Sequence, residues 1–515
     1  MTGTLRRNMA WIHGWLGLVA GWILFAMFLT GTASYFRPEI TRWMQPELAS
    51  VLVPPATAAR SAVAYLQRAG SDDEAWYIEL PDERDAVTRI FVQPGAKSTA
   101  KPGRPDELLL DGATGQPVHG RDTRGGEHFY RFHFQLQLPY PWGRWLAGLC
   151  AIFMLGAIIS GVVTHKRIFA DFFTLRWNKG QRSWLDAHNV SAVLALPYHA
   201  VITYTGLITL IVMYMPWPIA ANYARPADFF QAAYGLPPEQ PAAGRPAKLV
   251  AVAPLVADAE RRWGAGVARM IVRHPDDAAS TVTLYRTPRA SLNARGPSLT
   301  YAGTSGELIA ESGGGGPAIA TGGVMLGLHI AQFAGPALRW TLFGLGLTGA
   351  AMVGTGLLLW TAARRRPNAQ PFFGLKLVER LNIATIVGLP IGMAAFLLAN
   401  RLIPADLPGR ADWEVKAMFW TWAAVALAQF LRPSRRAWPE GFALAALTFL
   451  AIPVTDALTT RRGLPGTLLA GDTLFATFDL AMLAIALLLG VASWRAGRPP
   501  RQVTRRTRQA ETIHA

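Results

Sequence analysis

Ile12-His-Gly-Trp-Leu-Gly-Leu-Val-Ala-Gly-Trp-Ile-Leu-Phe-Ala-Met-Phe-Leu-Thr-Gly-Thr-Ala-Ser-Tyr-Phe36 is a run of 25 residues without a charged side chain. It is long enough to cross the hydrocarbon core of a bilayer as a helix. Arg6 and Arg7 precede it, as in a signal peptide. Its apolar part exceeds the ordinary signal core and no small-x-small cleavage site follows, so an uncleaved anchor is expected. Part of its pattern returns later. His13 stands 18 residues before Gly31, which follows Thr30; His188 stands 18 residues before Gly206, which follows Thr205.

Working outward, apolar runs predict eight transmembrane helices, at roughly 12–36, 144–164, 187–215, 338–361, 375–403, 413–431, 440–457 and 473–494. The composition agrees: 51% of the 515 residues are hydrophobic and 16% charged, against about 25% charged in a soluble chain. The net charge is +17, from 50 Lys and Arg against 33 Asp and Glu. Its placement argues against nucleic acid. Lys166, Arg167, Arg176, Lys179 and Arg182 follow the second run, Arg364 to Arg366 the fourth, Arg432, Arg435 and Arg436 the sixth, and the arginines from Arg495 onward the eighth. The positive-inside rule then expects both termini in the cytoplasm of an inner membrane.

The chain divides into a first transmembrane helix (1–36), an outer module (37–143), the second and third helices with a basic loop (144–215), a second outer module (216–337), a fourth helix (338–366), a four-helix extension (367–497) and a basic tail (498–515). Both outer modules read as small α+β units. Residues 75–92 and 268–285 each give an alternating strand, a polar turn and a second strand, and residues 111–118 and 301–308 each give a further hairpin candidate. Trp145 to Gly161 and Trp340 to Gly356 are both 16 residues apart. The expected architecture is an integral membrane, mainly α-helical protein. Its four-helix core is internally duplicated, with both copies in one orientation.

The histidines carry the chemistry. His13, His133, His165, His188, His199 and His329 lie in or beside the first four runs, and none lies between 330 and 513. His133 is 11 residues before Arg144 and His329 is 10 before Arg339. Ionisable groups at membrane depth are functional candidates by default. The repeat pairs His133 with His329 at the outer face, and His13 with His188 at the inner face. It gives no partner for His165, whose counterpart is Trp360, or for His199, whose counterpart is Leu24; their part as ligands stays open. His119, His128, His274 and His514 read as surface residues, with His128, five residues before His133, placed to edge an outer site.

The single cysteine, Cys150, excludes an intrachain disulfide, a Cys-ligated cluster and a covalent haem attachment. Zinc and di-iron sites want three or more ligands with carboxylates, which are scarce in the first four runs. Haem b needs two axial imidazoles and an apolar slot, so two haems stacked across the membrane are expected. Gly14, Gly17, Gly21, Gly156, Gly161, Gly344, Gly346 and Gly349 could open that slot. Arg131, Arg144 and Arg339 outside, and Lys166, Arg167 and Arg182 inside, could meet haem propionates.

These residues carry a resemblance. Met9-Ala-Trp-Ile-His-Gly-Trp-Leu-Gly-Leu18, Phe129-Tyr-Arg-Phe-His-Phe134, His165-Lys-Arg-Ile-Phe-Ala-Asp-Phe-Phe-Thr174, Lys179-Gly-Gln-Arg-Ser-Trp-Leu-Asp-Ala-His-Asn-Val190 and Gly356-Leu-Leu-Leu-Trp360 resemble the PepSY-associated transmembrane helix proteins, in particular the iron-regulated siderophore reductases. The resemblance covers about residues 1–366. It implies a haem b reductase of the inner membrane that passes electrons from an unknown donor to ferric siderophore in the periplasm. It carries over His13, His133, His165, His188 and His329. Two other readings are a siderophore or metal permease, which predicts broken spans and intramembrane charge, and a non-enzymatic binding or regulatory module, which needs no paired histidines.

Overall fold

The computed structural model describes residues 3–48, 51–69, 73–95, 107–165, 167–238, 240–313, 315–366 and 370–498. Lys166, His514 and the arginines beyond Arg498 lie outside these.

The chain begins with helix α1 (Gly3–Ser34), followed by a short α2 (Arg37–Trp43) that opens on Pro38. The first outer module holds α3 (Pro55–Ala69), β1 (Asp73–Glu79), β2 (Thr88–Pro94), β3 (Glu107–Leu110) and α4 (Glu127–Gln135). The long apolar α5 (Trp142–Thr164) leads to α6 (Gln181–Leu194) and α7 (Leu196–Thr209), which meet at a 67° bend. Pro197 sits in the first turn of α7, where proline is tolerated while the helix before it ends. The second outer module holds α8 (Val252–Trp263), β4 (Val267–Arg273), β5 (Thr281–Arg286), β6 (Ser298–Ala302), β7 (Leu308–Ser312) and α9 (Pro317–Ile330). Then come α10 (Pro336–Arg364), α11 (Phe373–Ile386), α12 (Gly388–Leu402), α13 (Arg410–Ala428), α14 (Ser434–Thr459) and α15 (Thr473–Gly497).

Among the described residues six helices are long and apolar enough to span a membrane, and seven if the bent α6–α7 pair counts as one, against the eight expected. The difference is the run at 413–431. It folds as α13, but its first turns carry Arg410, Asp412, Glu414 and Lys416, too much charge for a lipid-facing span.

The two outer modules are not separate units. They share one seven-stranded antiparallel sheet of order β3-β2-β1-β4-β5-β6-β7, joined where β1 pairs with β4 through Ala75↔Arg273, Tyr77↔Ile271 and Glu79↔Arg269. Strand alternation gives the sheet two faces. Trp76, Ile78, Ile90, Met270, Val272, Val282 and Leu284 pack with Ala59, Ala62, Val256 and Ala259 of α3 and α8 in one core. Glu79, Arg89, Arg269 and Tyr285 border a chamber below. The expected hairpin at 301–308 is the β6–β7 turn; the one at 111–118 closes as a single bridge, Leu110↔Pro117.

Candidate functional site: two facing pairs of histidines

The structure brings the histidines of separate helices together in two pairs. His13 on α1 faces His188 on α6, with ring centroids 6.0 Å apart and planes at 68°. His133 on α4 faces His329 on α9, with centroids 5.9 Å apart and planes at 33°. The outer pair meets α1 near Met27 and Gly31. At 1.5 Å per residue that is about 21–27 Å along α1 from His13, close to the thickness of a hydrocarbon core.

Each ring is held at Nδ1. His13 Nδ1 donates to the Ala157 carbonyl of α5 at 2.8 Å, and His188 Nδ1 to the Met352 carbonyl of α10 at 2.8 Å. His133 Nδ1 donates to the Met27 carbonyl at 2.7 Å. His329 Nδ1 lies 3.1 Å from Thr205 Oγ1, whose own hydroxyl donates to the Val201 carbonyl at 2.7 Å. That oxygen therefore accepts from His329. A carbonyl can only accept, so the ring proton sits on Nδ1 and Nε2 keeps its lone pair. This is how proteins orient imidazoles for a metal.

Each ring also rests on a glycine. A Cβ on Gly161 would lie 3.0 Å from His13 Cε1, on Gly356 3.2 Å from His188 Cε1, on Gly31 2.6 Å from His133 Nδ1, and on Gly206 2.8 Å from His329 Cε1. In three cases the carbonyl holding the ring lies four residues before the glycine: Ala157 and Gly161, Met352 and Gly356, Met27 and Gly31. Sequence reading used these glycines as spacing markers and missed them as seats for the rings. The signal was the constant interval.

The other expected glycines divide. Gly14, Gly17 and Gly344 border open space, whereas Gly21, Gly156, Gly346 and Gly349 press against Leu357, Leu16, Thr32 and Phe28 and serve helix packing. Among the described residues no group of three or more His, Cys, Asp or Glu could hold a metal ion. Each pair thus offers two donors. Metal–imidazole bonds of about 2 Å on either side of one ion put ring centroids about 6 Å apart, as both pairs have. Two imidazoles at this separation, the rest of the coordination coming from a cofactor, fit the axial ligation of haem.

The remaining candidates are placed differently. His165 ends α5 and, among the described residues, faces no second imidazole; its Nε2 lies 3.1 Å from Asn189 Nδ2. His199 is fully buried, with Nε2 3.4 Å from Thr348 Oγ1 and its ring 5.9 Å from Phe28. His128, expected at the surface, is buried against Phe396 and Met418 of the C-terminal helices. Arg339, expected to meet a propionate, is buried and bonded to Glu39 at 2.7 Å and to the Ala334 carbonyl. Arg144 lies over the rings of Phe134 and Tyr140. Arg131 pairs with Glu127 at 3.0 Å. Arg167 and Arg182 are exposed.

Between the sheet and the outer ends of the helices lies a chamber of about 1250 Å³. Arg131, two residues before His133, and Gln332, three after His329, both line it.

These elements define a multi-pass membrane protein with an extramembrane α+β domain set over a histidine-bearing helical core. The chain belongs to the PepSY-associated TM region family, whose model matches residues 10–363. No curated protein matches it.

Proposed function

We propose that the protein is a di-haem b reductase of the inner membrane that passes electrons to ferric siderophore in the periplasm, where the reduced iron is released for uptake. The observation that supports it is the pinning of all four paired imidazoles at Nδ1, which leaves four Nε2 lone pairs at two depths of the helical core. Matching glycine seats in residues 13–161 and 188–356 support an internal duplication of that core.

Bound to these histidines, haem b supplies a one-electron relay. The protein's own contribution is to fix the rings, to keep the core apolar, and to hold the ferric chelate in the chamber beside the outer pair. Each Fe(III) there gains one electron and becomes Fe(II), while a donor on the opposite side loses one. Hard oxygen ligands hold Fe(II) less tightly than Fe(III), so reduction loosens the complex. The basic residues Arg167, Lys179, Arg182, Arg364 and Arg365 support a cytoplasmic position for the loops that carry them, and a periplasmic one for the sheet.

The test is the visible spectrum and haem content of the purified protein. Two b-type haems per chain are expected. His133→Ala and His329→Ala should each leave one, and His13→Ala and His188→Ala should each remove the other. A colourless preparation that cannot be reconstituted with haem overturns the proposal, as does retention of both haems in all four variants.

A further inference from the structure

The chamber is lined by nine arginines and seven carboxylates. Seven of the nine arginines are already engaged in ion pairs, for example Arg89 with Asp85 and Glu107, Arg124 with Asp412 and Arg269 with Glu79. Two are not. Arg286, at the end of β5, and Arg295, in the loop before β6, have no ion-pair partner among the described residues. Both are half-buried and both belong to the second module.

The two guanidiniums are nevertheless held in place. Arg286 Nη2 donates to Ser291 Oγ at 3.0 Å, and that hydroxyl donates to the Asn293 carbonyl at 2.9 Å. Arg286 Nε is buried with no hydrogen-bond partner. Arg295 lies over the Tyr234 ring, 5.3 Å from its centre. Guanidiniums fixed by packing suit bidentate recognition of carboxylates and other paired oxygens. Asp122, an exposed lining residue, belongs to the segment docked on Arg410 through its carbonyl.

We propose that Arg286 and Arg295 make this chamber selective for anionic chelates of a trivalent metal, whose free carboxylate or catecholate oxygens they bind. Neutral and cationic chelates lack those oxygens. The identification of the metal as iron rests on the reductase reading; the charge selection does not. A volume of about 1250 Å³ lies above the usual range of small-molecule pockets, about 300–1,000 Å³, and leaves room for a whole chelate with water.

The test is equilibrium binding of gallium(III) complexes to the full-length protein in detergent. Gallium(III) matches ferric iron in charge but resists reduction, so binding is read apart from electron transfer. The probes are gallium(III) citrate, an anion, and the gallium(III) complex of a trihydroxamate with a pendant ammonium, a cation. The anion should bind at least tenfold tighter than the cation, and its affinity should fall with added salt. The double variant Arg286→Gln with Arg295→Gln should weaken the anion at least tenfold and leave the cation unchanged, while Arg286→Lys with Arg295→Lys should restore part of the loss. An unchanged thermal unfolding profile shows that the double variant is folded. Equal binding of both complexes, or anion binding unaffected by the Gln substitutions, overturns the proposal. A colourless protein that still selects the anion would refute the haem reading alone.

Discussion

In the first 366 residues glycines seat half-exposed imidazoles; in residues 370–498 buried ion pairs lie between the helices. His13, His133, His188 and His329 each rest on a glycine with one ring nitrogen unengaged. In the C-terminal bundle Arg401 is fully buried, paired with Asp456 at 2.6 Å, and lies 3.8 Å from the centre of the Trp43 ring. Trp43 in turn stacks on Phe478 at 4.4 Å. Arg410 pairs with Glu414, which accepts from Asn400 and Thr123. The α11–α12 span at the centre of the bundle is 72% buried, whereas α14 and α15, like α1, α5 and α10, are 28–39% buried. The contrast assigns roles. On the proposed reading the core takes a haem at each histidine pair, and the bundle braces it from one side by gripping α2 and the segment around Thr123.

The sharpest way to break this contrast is to fill the seats. Gly31→Leu or Gly206→Leu drives a side chain into His133 or His329, and Gly161→Leu or Gly356→Leu does the same at the inner pair. Each should lose the haem proposed at its own level and keep the other, read as haem per chain. Gly344→Ala, which faces open space, should lose none. If seat and control variants behave alike, the glycines are not seats.

A smaller effect is expected on the bundle. Asp456→Ala leaves Arg401 buried without its carboxylate, and breaking a buried pair costs about 3–5 kcal/mol. Thermal unfolding in detergent should shift down, while the visible spectrum of the folded protein stays as before. A spectrum that changes with the unfolding midpoint would show that bundle and core are one cooperative unit.

Much of the histidine core was legible because its constraints recur at fixed intervals. Two imidazoles 18 residues before a Thr-Gly step, in two apolar runs, announce a repeat; the repeat then predicts which rings meet. The bundle lacked such a signal. Its charges look like span ends in sequence, since Arg401, Arg410 and Glu414 sit beside apolar runs. Their burial follows from a tertiary contact with Trp43 and Thr123, some 280–360 residues away. The joining of the outer modules was hidden for a related reason. Alternation specifies a strand and its faces but not which edges meet, and the β1–β4 edge joins residues far apart in the chain, such as Ala75 and Arg273. His128 was misread because the repeat gives it no partner and no local pattern marks its surroundings, which in space are Phe396, Phe419 and Met418.

His128 gives the mildest test, at the seam between the two regions. Its ring is 2% exposed and stacks on Phe396 at 4.6 Å. The Gln137 amide nitrogen, 2.6 Å away, donates to Nδ1, so the ring proton lies on Nε2, facing Met418 Sδ at 3.0 Å. Burial, with the nearby charge of Arg124, pushes its pKa down to about 4, from about 6.5 in the unfolded chain. Between these values the unfolded state binds more proton. The stabilising contribution is therefore complete above about pH 6.5 and is lost as pH falls toward 4, amounting to about 2 kcal/mol between pH 7 and pH 5. His128→Phe keeps the aromatic stack and removes the titration. Its unfolding midpoint should fall less than that of the parent over this pH interval, and parallel curves would show that the imidazole at the seam does not set the acid sensitivity of the joint.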